Sequence, residues 1–310
     1  MYKYIFGPVP SRRLGLSLGV DIIPPKLCTL DCIYCEVGAT DKRGLARKEY
    51  FPAAEILDEI RLSIAEHPDL DHITLSGSGE PTLNSAIGEI IRGIKRMTGI
   101  PVAVLTNGTL LTLPEVRNDL LEADIVSPSL DAVSAEVFNK IDRPHPKLDI
   151  DAIIGGIAQF RKEYSGVLWL EVLFVKDIND SDEEVQKLKS AITAINPDKI
   201  HINTVVRPPT EVSAHPVGEE RLREILKVFG EKAEIIGVYK EKHKTEERNG
   251  SEEAILALLR RRAMTIEGIT SALMMRAEEV LPVLKKMVEG NLISQFIFQG
   301  EDFFQAIEKK

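Results

Sequence analysis

Val20-Asp21-Ile22-Ile23-Pro24-Pro25-Lys26-Leu27-Cys28-Thr29-Leu30-Asp31-Cys32-Ile33-Tyr34-Cys35-Glu36 is the stretch on which the reading of this chain turns. A short β-like run ends at two prolines, and a loop spaced Cys-x3-Cys-x2-Cys follows. These three cysteines are all the chain has. An odd number gathered so tightly is not a disulfide framework, and structural core cysteines would be scattered. Three thiolates this close in sequence can wrap one face of a compact metal centre. A structural zinc site wants a fourth protein ligand, and the nearest downstream histidines, His67 and His72, lie beyond an expected helix. A [4Fe-4S] cluster held by three cysteines leaves one iron open instead, and an open iron can bind and activate a small molecule.

From residue 71 onward apolar runs alternate with amphipathic stretches, the signature of parallel strands covered by helices. His72–Ser76, Pro101–Thr106, Asp124–Ser127, Val167–Val175 and Lys199–Asn203 read as strands, with Glu234–Gly237 closing the series. Ser85–Met97, Leu113–Leu121 and Asp182–Ile195 read as helices between them. With the run before the cysteines, six or seven parallel strands are expected. Eight units do not fit comfortably in about 240 residues. The fold class is therefore α/β, a partial (β/α)6 TIM-like barrel rather than a closed (β/α)8 one. Barrel chemistry belongs at the carboxyl ends of strands, where the unusual residues fall. Ser76-Gly77-Ser78-Gly79-Glu80-Pro81-Thr82 follows a strand. Its glycines let backbone approach a ligand, and Glu80 is placed to accept from an ammonium group. Thr106-Asn107-Gly108, Ser127–Asp131 and Lys176–Asp180 also follow strands, although turn residues there need no functional cause. Glu171, inside a strand run, must be paired or face the lumen.

The cysteine spacing, with aromatic Tyr34 before the third cysteine and the Gly-Glu-Pro loop one unit later, resembles the radical S-adenosylmethionine (SAM) superfamily. The resemblance implies that Cys28, Cys32 and Cys35 hold a [4Fe-4S] cluster whose open iron chelates the amino and carboxylate groups of SAM. Reduction then gives methionine and a 5′-deoxyadenosyl radical, which abstracts hydrogen from a substrate. The Gly-Ser-Gly-Glu-Pro stretch is similar to the family's Gly-Gly-Glu-Pro motif, with Ser78 as a small departure. It implies that Gly77, Gly79 and Glu80 orient SAM. Tyr34, Asn107, Ser129, Asp131 and Asn179 carry over as further SAM contacts, and a flavodoxin- or ferredoxin-like electron donor is implied. About residues 1 to 240 resemble one subgroup closely, single-cluster proteins related to wyosine-type tRNA-modifying enzymes. Wyosine synthases carry a second iron–sulfur cluster, for which no cysteine is left here. The same count excludes auxiliary-cluster maturases, methylthiotransferases and any mechanism through a cysteine radical.

Three further segments, Pro8–Arg13, Ile141–Pro146 and Asn203–Pro209, set arginine beside proline. Each holds a guanidinium on a stiffened loop suited to gripping carboxylate or phosphate. Lys240–Gly250 is a charge-dense linker after a barrel at 1–239. Residues 251–310 read as three helices (Glu252–Arg262, capped by Ser251, Thr265–Leu273 and Ala277–Glu289) and two strands (Leu292–Phe298 and Phe303–Ile307). That order is winged-helix-like. Eight Lys+Arg face nine Asp+Glu in this segment, so DNA groove reading is not expected, and protein or peptide docking, or simple packing, suits it better. An RNA base, tRNA included, follows as substrate from the subgroup, and a protein or peptide from the appended domain. A small-molecule biosynthetic enzyme is the alternative; from another class, so is a non-catalytic iron–sulfur sensor. Over 310 residues the net charge of -9 excludes a uniformly basic coat. No apolar run is long enough to span a membrane, and no apolar leader follows Lys3, so a cytoplasmic protein without a membrane partner is expected.

Overall fold

Strands of a parallel sheet are buried on both faces and need near-continuous apolar runs, which this chain supplies in regular succession. The computed structural model describes residues 2–11, 13–40, 42–236, 252–273 and 275–307. The chain enters through a hairpin, β1 (Ile5–Ser11) and β2 (Gly15–Asp21). The cysteine loop follows, with the short paired strands β3 (Leu27–Cys28) and β4 (Lys42–Arg43). Helix and strand then alternate through α1 (Ala53–Glu66), β5 (His72–Ser76), α2 (Ile87–Met97), β6 (Val102–Thr106) and α3 (Pro114–Leu120). They continue through β7 (Ile125–Pro128), α4 (Ala135–Ile141), α5 (Ile150–Glu163), β8 (Val167–Phe174), α6 (Asp182–Ile195), β9 (Lys199–Thr204), α7 (Glu219–Phe229) and β10 (Ala233–Ile235).

One sheet runs β1-β2-β5-β6-β7-β8-β9-β10, parallel throughout except for antiparallel β1. Six βα units and a short seventh parallel strand make an open, partial barrel, as the strand count predicts. Val20, Leu75, Val104, Val126 and Leu168 stand abreast in register and are fully buried. Helices cover this face; α2, for example, buries Ile87, Ile90, Ile91 and Ile94 at helical spacing. The alternate residues point into the lumen. Leu14, Ala103, Ile125 and Trp169 form an apolar cluster, whereas Ser17, Thr74, Ser127, Ser129 and Glu171 line a cavity.

β1 runs through Pro8 and Pro10, where the residue pattern predicts no strand. β1 is an edge strand whose register breaks between Phe6 and Val9, and an edge tolerates residues without an N–H donor. Beyond the barrel lie α8 (Glu252–Arg261), β11 (Met264–Thr265), α9 (Ile266–Leu273), α10 (Ala277–Glu289), β12 (Ile293–Phe298) and β13 (Glu301–Ala306). Thr265 opens α9 as its cap, its Oγ1 accepting from Gly268 N–H at 3.1 Å, and is a strand residue as well. It pairs with Phe303, making β11 the outer strand of a three-stranded sheet ordered β11-β13-β12. These elements share a second apolar cluster built on Ile255, Leu259, Ile269, Val280, Leu284 and Ile293. The linker at 240–250 and the Ser251 cap lie outside the described residues.

Candidate active site

A cavity of about 430 Å³ opens at the carboxyl ends of the parallel strands, and Cys28, Cys32 and Cys35 all line it. An irregular loop must satisfy its backbone groups elsewhere, and this one does so on later βα loops. Lys26 N–H donates to Ser78 O at 2.7 Å, and Glu80 N–H to Leu27 O at 3.1 Å. Asp31 and Ile33 N–H donate to Asp142 O and Ile141 O, both at 2.9 Å, and His145 N–H to Thr29 O at 2.9 Å. Thr210 Oγ1 donates to Cys35 O at 2.9 Å. The cysteine loop is therefore held as one rigid piece across the barrel mouth.

Burial first, and the nearby Glu80 carboxylate second, push the Cys28 thiol up to about 12. Burial likewise raises Cys32 well above the ordinary thiol range, with Asp142 adding to the effect, and raises Cys35. These thiols keep their protons until a cation displaces them. Among the described residues no set of three His, Cys, Asp or Glu is arranged to hold a single metal ion; an iron–sulfur cluster spreads its thiolates over separate irons.

Gly77, Ser78, Gly79 and Glu80 form an adjoining wall of the cavity. Both glycines also have a reason within the protein itself. A Cβ on Gly77, whose φ is +138°, would stand 1.6 Å from Asp21 Oδ1, and one on Gly79 2.1 Å from Leu27 O. Both let this turn close against β2 and the cysteine loop. Glu80 is buried and accepts from Thr82 N–H (3.0 Å), Thr82 Oγ1 (2.5 Å), Thr106 Oγ1 (2.6 Å) and Asn107 N–H (2.7 Å). Burial raises its pKa while these bonds oppose the shift.

Asn107 and Ser129 line the cavity, and Asn107 Nδ2 donates to Thr29 Oγ1 at 2.8 Å. Tyr34, Asp131 and Asn179 stand behind the wall and are absent from the lining. Tyr34 donates to Asp131, whose other oxygen takes Leu173 N–H at 2.7 Å. Asn179 is fully buried, with its amide spent on Val175 N–H, Asp131 O and Leu173 O, each at 2.8 Å. Cys32 Sγ lies 3.3 Å from Asp142 Oδ1, and burial lifts that carboxyl to about 7. Ser127 was not singled out from sequence. Ser127 is part of the lining, and its Oγ is buried without a hydrogen-bond partner, which a serine between two strand residues does not advertise. The three arginine loops part ways. Arg13 pairs with Glu171 and Arg207 with Glu36, all at the cavity. Arg143 instead bridges Asp31 of the cysteine loop (3.5 Å) to Glu211 in the segment after β9 (2.7 Å). Arg12 lies outside the described residues.

A three-thiol loop across the mouth of an open parallel barrel, beside a Gly-Ser-Gly-Glu-Pro turn, defines a class of SAM-dependent radical enzymes. Residues 22–188 match the radical SAM superfamily, and the chain belongs to it. The superfamily uses a [4Fe-4S] cluster and SAM, and its members need an electron donor and a substrate. A UPF0026 protein from Methanocaldococcus jannaschii is 32% identical over 306 residues, 96% of this chain and 94% of that protein. A protein from Brachyspira hyodysenteriae named GTPase Obg is 36% identical over 301 residues, 96% of this chain; the chain spans only 44% of that protein's length. Among solved structures, a radical SAM methyltransferase from Sphaerobacter thermophilus shares the fold, with a TM-score of 0.57 and 17% identity over 71% of this chain and 65% of that one. No helix among the described residues is long and apolar enough to cross a membrane.

Proposed function

We propose that this chain binds a [4Fe-4S] cluster through Cys28, Cys32 and Cys35 and cleaves SAM reductively beside it, so that a 5′-deoxyadenosyl radical abstracts hydrogen from a substrate in the same cavity. The observation that carries this reading is the meeting of all three cysteines, the Gly77–Glu80 wall and Ser127, whose buried Oγ has no partner, around one space. A cluster held by Cys28, Cys32 and Cys35 would supply the single electron that reductive cleavage of the SAM sulfonium to methionine and a 5′-deoxyadenosyl radical requires. The chain's own part is to bind, orient and shield. Gly77, Gly79, Glu80, Asn107 and Ser129 shape the SAM wall, and Ser127 Oγ offers it a hydrogen bond. Tyr34, Asp131 and Asn179 act as positioning residues behind that wall. A flavodoxin- or ferredoxin-like protein delivers the electron.

Residues 1–239 serve as the barrel and 251–310 as a winged-helix-like domain joined by the 240–250 linker. Leu258 and Met264 of the latter line the cavity, which supports a role in enclosing the radical. A cavity of about 430 Å³ that this domain roofs in part suits a small-molecule substrate. A non-catalytic sensor would have no use for a SAM-sized space beside its thiols.

The test is anaerobic reconstitution followed by measurement of 5′-deoxyadenosine with dithionite as reductant. Wild-type protein should produce it, and Cys32→Ala should lose both the cluster absorbance and the product. A cluster-loaded wild type that makes none, with or without RNA, protein or small-molecule fractions of an extract, would refute the enzyme reading.

A further inference from the structure

The roof of the cavity comes from the far end of the chain and brings cations with it. α8 contributes Leu258 and Arg261 to the lining, and Arg262 follows directly after it. Arg261 pairs with Asp21 at the end of β2, and its guanidinium carbon lies 4.1 Å from the centre of the Phe6 ring. Arg207, leaving β9, reaches both carboxylate oxygens of Glu36 at 2.8 and 3.1 Å, and Arg262 reaches the same carboxylate at 3.3 Å. Arg13 completes a set of four arginines on one cavity, in a chain whose net charge is -9.

The four guanidinium groups are balanced by Glu36, Glu80 and Glu171 of the same lining and by Asp21 beside it, so what the site offers an anion is directed N–H donors rather than net charge. The carboxylates hold the forks in place rather than exhausting them. A guanidinium has five donors; the Asp21 contact uses one N–H of Arg261, and the Glu36 contact uses one nitrogen of Arg207. The Arg207 and Arg261 side chains are each about one-quarter exposed, so they stand at the cavity rather than in the core. A fork held by a carboxylate on one side is pre-organised to meet a second oxyanion on the other.

We propose that Arg207 and Arg261, held by Glu36 and Asp21, bind a carboxylate or phosphate group of a small substrate enclosed beneath α8. The assignment rests on the reading of this cavity as the SAM site. It adds the chemical class of the second ligand and gives the C-terminal domain a share in binding it.

The experiment follows the thermal midpoint of reconstituted protein at saturating SAM. Inorganic pyrophosphate and malonate are titrated separately against chloride at matched ionic strength. At least one of them should raise the midpoint, and the stronger response tells phosphate from carboxylate chemistry. Arg207→Gln and Arg261→Gln should each weaken the apparent affinity roughly tenfold or more. Arg207→Lys, which keeps charge and loses the fork, should fall between, and exposed Lys285→Gln should respond as wild type. Midpoints without anion show whether each variant folds; if Arg261→Gln does not, the Arg207 pair decides. A wild type indifferent to both anions, or arginine variants that respond like wild type, overturns the proposal. So does an anion response that is present without SAM and abolished by it, because the arginines then serve SAM's own carboxylate. A response to single-stranded RNA with none to either small anion overturns the small-substrate assignment. The anion response needs no turnover, so its failure is distinct from a missing 5′-deoxyadenosine signal.

Discussion

Replacing Glu80 tests whether this carboxylate is a tie within the protein, apart from the SAM contact proposed for it. Its oxygens take two hydroxyls and two backbone amides, Thr82 N–H and Asn107 N–H. The hydroxyls of Thr82 and Thr106 can turn to other acceptors, but the amides cannot turn. In Glu80→Ala both amides lose this acceptor. At about 1–3 kcal/mol for each orphaned buried donor, the loss is about 4 kcal/mol. With about 2–4 °C per kcal/mol for a protein of this size class, the thermal midpoint should fall roughly 8–16 °C. Glu80→Gln keeps one amide oxygen and should lose about half as much. Asn107 also donates to Thr29, next to Cys28, so Glu80→Ala should in addition bind less iron per chain on reconstitution. The assay is differential scanning of the metal-free protein, paired with iron and sulfide analysis after reconstitution. If Glu80→Ala melts with wild type and takes up a full complement of iron, the argument from these four bonds is wrong and Glu80 acts on SAM alone.

Gly79→Ala puts a Cβ 2.1 Å from the Leu27 carbonyl and must push the cysteine loop off the neighbouring turn. A cost of roughly 2–3 kcal/mol and reduced iron uptake should appear together, whereas a stable variant with normal iron would show that the loop gives way freely. Ser127→Ala removes a buried hydroxyl that has no partner in the protein. Stability should hold within about 1 kcal/mol, while SAM affinity by equilibrium dialysis drops about five- to tenfold; unchanged affinity would mean the hydroxyl does not meet the ligand. His201 is held neutral by burial and then by nearby Arg13, its pKa lowered from 6.5 to about 4. Below 6.5 the unfolded chain takes up a proton that the folded one refuses until about 4. Its contribution is thus constant above 6.5 and turns unfavourable as pH falls through that window, by about 3 kcal/mol at most. His201→Gln should flatten this part of the stability–pH curve of the metal-free protein, and an equal slope in both proteins would contradict it.

Much of the barrel is legible before folding because its signals are local. β5 to β9 read as apolar runs, and α6 and α10 occupy the residues that their periodicity predicts, Asp182–Ile195 and Ala277–Glu289. Ser181 accepts from Glu184 N–H at the start of α6, Asn196 turns left-handed at its end, and Gly290 closes α10. β1 is hidden because its prolines are read as breakers, and only a place at the sheet edge makes them acceptable. The strand pairing of Thr265 is hidden for a related reason: its partner, Phe303, lies 38 residues on and leaves no mark in the local pattern.

The sequence alone determines the cysteine set, three and no more, and the order of strand, turn and helix around it. Covalent spacing and period are enough for that, since both act over a few residues. Which side chains share the cavity was decided by the tertiary structure. Sheet register brings Asn107 and Ser129 to the lining and keeps Asp131 and Asn179 behind it. It also turns Ser127 inward and sets Gly77 against Asp21. The docking of α8 brings Arg261 onto Asp21 across 240 residues of chain, a contact that depends on two packed faces meeting and that no local spacing encodes.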